Sequence, residues 1–254
     1  MFRGESGRLS NVPTEATLRK AIRAGRVSCQ SEPAKHRAGS RLMDRISETV
    51  RSLIADAHLS PLEEDARKYI LGEFAAYGKP PTLAGLRDAM KLPSAGAARR
   101  IVKKLHKADI VATEGDRIVS SYPFSARETR HRVVFLDGHE VYALCATDAL
   151  GIHFMLGSPL AVHSSCPECE NEMTISLKGG RIVSSEPGGI VQFVSNSGKC
   201  GCTSKTFCPY MNFFCSEAHA AGWRKKNPAL GKGELYSLRE TLKYGKEIFG
   251  SFLR

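Results

Sequence analysis

The segment from Val133 to Leu156 constrains this chain more than any other. Its first part alternates, with apolar Val133, Phe135 and Val141 set around Asp137-Gly138. Period-two alternation about Asp-Gly predicts a β-hairpin with a two-residue turn. From Ala146 to Leu156 the residues are mostly apolar and free of β-branched crowding, which predicts a helix. Cys145 therefore stands where a strand becomes a helix. A thiol at a helix N-terminus faces unpaired N–H groups and the positive end of the dipole, and both favour its thiolate. Asp148, one helical turn on, shares a face with it. Two readings stay open from these residues alone. One is a nucleophilic thiol beside a carboxylate able to move its proton. The other is a buried structural cysteine and an acidic residue suited to a first helical turn.

Cysteine usage sharpens the question. Eight cysteines (Cys29, Cys145, Cys166, Cys169, Cys200, Cys202, Cys208 and Cys215) occur in 254 residues, and all but Cys29 follow position 144. The basic N-terminus lacks an apolar core segment, and the apolar runs stop short of a bilayer span, so neither a secretory signal nor membrane anchoring is expected. The expected location is cytoplasmic. In a reducing compartment, clustered thiols point to metal or thiol chemistry rather than disulfides. The net charge of +11 admits an anionic partner. However, residues 1–40 hold eight Lys/Arg against three acids, so nearly half the excess lies in a tail-like stretch, and a solvated basic surface explains it more simply.

Three segments follow from the pattern. Residues 1–40 are polar and basic and read as a loosely ordered extension, with a short basic helix over Thr14–Arg26. Residues 41–122 read as helical and winged-helix-like. Leu42, Ile46, Val50, Leu53 and Ile54 have helical spacing. Ser60-Pro61-Leu62-Glu63 is a capping box, and that helix should stop at Gly78. Helices over Leu83–Met90 and Ala95–Ala108 and a hairpin about Glu114-Gly115-Asp116 complete a winged helix-turn-helix pattern. Arg99, Arg100, Lys103 and Lys104 lie on the recognition-helix position, either for DNA or as a solvated face.

Tyr122–Thr129 reads as a linker, and residues 123–254 as a second domain. There, short strands are expected at Pro159–Val162, Met173–Leu177, Arg181–Ser184 and Ile190–Val194. Ser195–Lys205 reads as a polar loop, and Thr206–Phe214 as a strand with Cys208 at its start. A helix from Ser216-Glu217 and a last helix from Gly233-Glu234 to Phe249 follow. The fold class is thus α+β, a winged-helix-like helical part followed by a mixed or antiparallel sheet with flanking helices.

Two chemistries compete for the thiols. Cys166-x-x-Cys169 is half of a zinc knuckle, and Cys200-x-Cys202 is a candidate for the other half. Alternatively, Cys145 and Cys208 converge as two thiolates on a soft ion such as Hg(II), with Asp148 as proton shuttle. His153 is read as a packing histidine and Trp223 as a core or rim aromatic. Met155 and Met211 are read as packing residues, with thioethers compatible with a soft-metal site.

From about Leu42 to Phe249 the chain resembles the organomercurial (alkylmercury) lyase family. Three blocks carry the resemblance: Val141-Tyr142-Ala143-Leu144-Cys145-Ala146-Thr147-Asp148-Ala149-Leu150, Val162-His163-Ser164-Ser165-Cys166, and Phe207-Cys208-Pro209-Tyr210-Met211-Asn212-Phe213-Phe214. The resemblance implies cleavage of a carbon–mercury bond by protonolysis, giving a hydrocarbon and Hg(II). Cys145 and Cys208 would be the mercury-binding thiols, Asp148 the proton carrier and Cys166 a supporting buried cysteine. It implies no required cofactor, an organomercurial substrate, and cellular thiols or a mercuric reductase as Hg(II) acceptor; nucleic acid is not an expected partner. The winged-helix part would pack over the site. This chain departs from the family pattern at Leu144, where a Trp is usual, and at Pro209, where a second Cys is common. Cys169, Cys200, Cys202 and Cys215 are additional. Two rivals remain: a metal-sensing winged-helix regulator and a zinc-stabilised binding module without catalysis.

Overall fold

The computed structural model describes residues 41–195, 204, 207–230 and 233–253. The expectations for residues 1–40 and most of the 195–205 loop, and with them Cys29, Cys200 and Cys202, lie outside the described residues.

Among the described residues four helices come first: α1 (Leu42–Asp56), α2 (Pro61–Tyr77), α3 (Leu83–Ala89) and α4 (Ala95–Lys107). Their ends are where the sequence places caps. Ser60 accepts from the Glu63 amide while Glu63 reaches back to the Ser60 amide, and Gly78 ends α2 at φ +64°. Thr82 and Ser94 cap α3 and α4 by accepting from the Gly85 and Ala97 amides. Arg99 pairs with Asp116 and Lys104 with Glu63, so two of the four basic residues singled out on α4 face acids of this chain.

Eight strands then form one antiparallel sheet in the order β1-β2-β3-β5-β4-β6-β7-β8. They are β1 (Val111–Glu114), β2 (Arg117–Ser121), β3 (Phe124–Ser125), β4 (His131–Phe135), β5 (Glu140–Ala143), β6 (Leu160–Ser165), β7 (Glu172–Lys178) and β8 (Arg181–Glu186). The Tyr122–Thr129 linker reading is corrected here. Phe124 and Ser125 are buried, and β3 pairs with β2 on one side and β5 on the other. The β1–β2 hairpin is thereby continuous with the main sheet. The β4–β5 connection also differs from the expected two-residue turn. The Phe135 amide bonds to the His139 carbonyl and the Gly138 amide to the Phe135 carbonyl, with Gly138 at φ +87°. This is a turn closed by a glycine bulge, a geometry Asp-Gly also suits.

A smaller sheet, ordered β10-β9-β11, comprises β9 (Val191–Val194), β10 (Met211–Phe214) and β11 (Glu234–Ser237). Two boundaries move. Cys208–Tyr210 is a 3-10 turn and the strand begins at Met211, because Pro209 has no amide to give a ladder. Glu234–Ser237 pairs with β9, and the last helix begins at Leu238, where Ser237 and Glu240 form a capping box. Among the described residues the remaining helices are α5 (Ala146–Leu156), α6 (Glu217–Lys226) and α7 (Leu238–Phe249). None of the described helices is long and apolar enough to cross a membrane.

The core is centred on α5. It is buried on nearly every side, as expected for a helix apolar all round, and lies against β4–β7, β10 and α7. Its closest neighbour is α7, and two glycines make that approach possible. A Cβ on Gly151 would lie 2.1 Å from the Phe249 ring, and one on Gly245 would lie 3.1 Å from the Gly151 amide nitrogen. Helix α1 docks across the same region: Tyr244 donates to Asp44 (2.7 Å), and the Met43 amide donates to the Tyr236 hydroxyl (3.0 Å). Gly151→Val should therefore force α5 and α7 apart and destabilise the protein by roughly 3 kcal/mol or more, as overpacking of a dense core does. Urea denaturation checks this; an unchanged midpoint would mean the helices are not in close contact.

Candidate active site

The buried start of α5 gathers the site. Cys145 is its N-cap, with extended backbone, and its sulfur accepts from the Asp148 amide at 3.4 Å. This fulfils the expectation of a cysteine where strand becomes helix. Asp148 sits in the first turn. Its carboxylate meets Cys208, whose sulfur donates to Asp148 Oδ2 at 3.8 Å. The Cys145 and Cys208 sulfurs and an Asp148 oxygen all lie within 4.8 Å of one another. Cys145 is 2%, Asp148 5% and Cys208 5% exposed.

The surroundings are mainly apolar. Ile46 and Val50 of α1, Ile248 and Phe249 of α7, Met211 and Tyr122 line the pocket with Cys145, Asp148, Cys208 and Thr147. Burial therefore dominates the electrostatics. It raises the Cys145 thiol above its ordinary range, and the neighbouring Asp148 charge adds to the rise despite an opposing hydrogen bond from Cys208. The helix N-terminus was expected to favour a thiolate; desolvation outweighs it here. Cys208 is raised further, first by its hydrogen bond with Cys145 and then by burial. Asp148 is raised to about 7 by burial, against hydrogen bonds from both thiols. Two thiols and a carboxyl thus share a buried, mainly apolar space that raises all three.

Some residues that fix the site were not singled out from sequence. Gln192 of β9 donates to Thr147 Oγ1 at 2.8 Å, and Thr241 of α7 donates to Gln192 Oε1 at 2.9 Å. All three are buried, so this chain of bonds ties the first turn of α5 to both neighbouring elements. A glutamine inside Ile190–Val194 was the available signal. Of the others, His153 is buried between partners, with Nδ1 2.7 Å from the Ser158 carbonyl and Nε2 accepting from the Gly180 amide, a packing histidine as expected. Trp223 packs on Phe193 and Phe214.

Cys166 belongs to a different group. Fully buried, it faces His219, and with Cys169 and Cys215 these four residues bring their ligand atoms within 4.8 Å of one another. Burial opposes its thiolate, yet backbone N–H groups of Cys215, Glu168 and Cys169 and the His219 ring lower it to about 7. Among the described residues, the donors that come near Cys166 and Cys169 are Cys215 and His219.

Residues 124–250 match the alkylmercury lyase family over half the chain. The chain belongs to the alkylmercury lyase family. Its relatives include the alkylmercury lyase of Staphylococcus epidermidis, 28% identical over 115 residues that make up 45% of this chain and 52% of the relative. The alkylmercury lyase of Bacillus cereus is 25% identical over 111 residues, 44% of this chain and 50% of the relative. The chain spans about half the length of the curated relatives it matches. Among solved structures, the crystal structure of the mercury-bound form of MerB2 has the same fold: TM-score 0.68 at 20% identity, covering 82% of this chain and 98% of that one. Alkylmercury lyase membership thus accords with the α+β, antiparallel-sheet architecture described above.

Two titrations provide a test of the buried state. Asp148, raised from 3.8 to about 7, keeps its proton when folded while the unfolded chain loses it. Stability should fall as pH rises from about 4 to 7, by roughly 4 kcal/mol in all. His131, buried beside Ser164, is lowered from 6.5 to about 4, chiefly by burial. It stays neutral when folded while the unfolded chain takes up a proton, so stability should fall as pH drops from about 6.5 to 4. Asp148→Asn should remove the first slope and His131→Gln the second, in denaturation midpoints measured across pH 4–8. Unaltered profiles would show that neither group is desolvated.

Proposed function

We propose that this protein is a carbon–mercury lyase that cleaves organomercurials by protonolysis at Cys145, Asp148 and Cys208. The observation that carries the reading is the meeting of two thiols and a carboxyl within one buried pocket, from positions 145, 148 and 208 of a chain in the alkylmercury lyase family.

The proposed sequence balances protons and charge. Mercury of R–Hg–X bonds to the Cys145 sulfur, and that thiol's proton leaves with X. The Cys208 sulfur bonds next, and its proton passes along the existing contact to Oδ2 of the ionised Asp148 carboxylate, the form that a group raised to about 7 holds in about half of the molecules at neutral pH. Two sulfur ligands push electron density onto mercury and weaken its bond to carbon. Asp148 then delivers its proton to carbon as the Hg–C bond breaks, giving R–H and Hg(II) held by two thiolates. A carboxyl raised to about 7 is suited to a general acid at neutral pH. The apolar wall of α1 and α7 keeps water from competing for the bound mercury. External thiols or a mercuric reductase would accept the product, and no cofactor is required.

The segment α2–α4 with the β1–β2 hairpin is read as a winged-helix-like part that serves packing rather than DNA. Helix α1, through Ile46 and Val50, covers the pocket. A cytoplasmic location suits free thiols.

Incubation with methyl- or phenylmercury and excess thiol should release methane or benzene. Cys145→Ser and Cys208→Ser should each lower turnover by at least a thousandfold. Asp148→Asn should retain mercury binding but slow hydrocarbon release by roughly 10²–10⁴. Hydrocarbon release at the parent rate from Cys208→Ser would remove that thiol from the reaction.

A further inference from the structure

Outside the active-site pocket, one cluster has the composition of a metal centre. Cys166 follows β6, Cys169 lies in the turn before β7, Cys215 follows β10, and His219 is in the first turn of α6. Cys169 Sγ and Cys215 Sγ are 3.7 Å apart. His219 Nδ1 is 2.9 Å from Cys215 Sγ and 3.8 Å from Cys166 Sγ. A tetrahedral ion with metal–sulfur bonds of about 2.3 Å has sulfur–sulfur edges of about 3.8 Å. The four donors thus already approximate the corners of such a shell.

The backbone around the first cysteine fits the same purpose. The Glu170 amide bonds to the Cys166 carbonyl at 2.8 Å, and the Cys166 amide to the Asn171 carbonyl at 2.9 Å. Glu170 takes φ +57°, closing a knuckle over Cys166-Pro167-Glu168-Cys169. The His219 ring is set by the start of α6, whose cap Ser216 accepts from the His219 amide at 3.2 Å.

We propose that Cys166, Cys169, Cys215 and His219 bind one structural Zn(II) that clamps the β6–β7 end of the large sheet to β10 and α6. Three sulfurs and one imidazole nitrogen match the preference of zinc for tetrahedral soft and borderline donors. Four protein ligands leave no open position, which is the arrangement of a structural rather than a catalytic zinc. The clamp closes on the end of β10, the strand whose start follows Cys208. It would hold that strand in place without touching substrate. The site shares no residue with Cys145, Asp148 and Cys208, and the proposal does not rest on the lyase reading.

The test is metal analysis of the full chain, expressed with zinc and without mercury, kept reduced and exchanged into metal-free buffer. One zinc per chain is expected. Cys145→Ser, Cys208→Ser and the double variant Cys200→Ser/Cys202→Ser should retain it. Cys215→Ser and His219→Ala should lower occupancy at least tenfold. Where those two variants fail to fold, Co(II) replacement decides. The parent should give intense tetrahedral d–d bands with sulfur-to-cobalt charge transfer. His219→Cys should keep the metal and raise the charge-transfer absorption by about a third, as a fourth thiolate joins three. Less than a tenth of a zinc with no tetrahedral cobalt spectrum would overturn the proposal. So would a Cys169–Cys215 disulfide in the metal-free chain, a different stoichiometric metal, or zinc that is lost from the Cys200/Cys202 variant.

Discussion

A helix that begins inside a protein must find acceptors for its first amides, and α5 begins among apolar side chains. The acceptor at its third position is the Cys145 sulfur, which takes the Asp148 amide. That single contact sets the thiol and the carboxyl side by side and fixes their direction. Much of the remaining architecture keeps this start in place. Gly151 and Gly245 let α7 lie directly against α5. The Thr147–Gln192–Thr241 bonds hold the first turn to β9 and α7. Helix α1 covers the apolar side.

The same burial makes the site chemically tense. Burial out of water opposes the ionisation of two thiols and a carboxyl, while hydrogen bonds from both thiols favour Asp148 as the charged member. Protonated, the trio is nearly neutral and tolerable to the fold. A soft cation changes the balance, since each sulfur that bonds to it gives up a proton and loses its charge conflict at once. In the proposed reaction the released Cys208 proton has Asp148 as its adjacent acceptor, and carbon is its final destination. The cost to stability of a buried acid and the capacity to deliver a proton at neutral pH therefore share one physical cause.

Local signals made much of this legible in the sequence. Capping boxes at Ser60, stop signals such as Gly78, and the switch from alternation to an unbroken apolar run at Cys145 each act over a few residues. Cys208 was set beside Cys145 as a second thiol at an element end, and the resemblance to the alkylmercury lyase family supported the pairing, because no periodicity relates positions 145 and 208. What was missed depends on distant pairing. Phe124-Ser125 looks like a linker until β2 and β5 enclose it, and Glu234–Ser237 looks like a helix start until β9 pairs with it. The reading that joined Cys166 and Cys169 to Cys200 and Cys202 by spacing concerns residues outside the described ones; Cys215 and His219 come near Cys166 and Cys169 through the fold of the second sheet, which spacing does not encode. The thiolate expected at the helix start gave way to desolvation, a quantity that depends on what α1 and α7 cover.

Mercury L3-edge X-ray absorption, after adding one equivalent of phenylmercury to the zinc-loaded chain, tests the shared-ligand geometry directly. Two sulfur neighbours at bonding distance are expected in the parent, falling to one in Cys208→Ser. An identical mercury coordination shell in the two proteins would show that Cys145 and Cys208 do not close on the same atom.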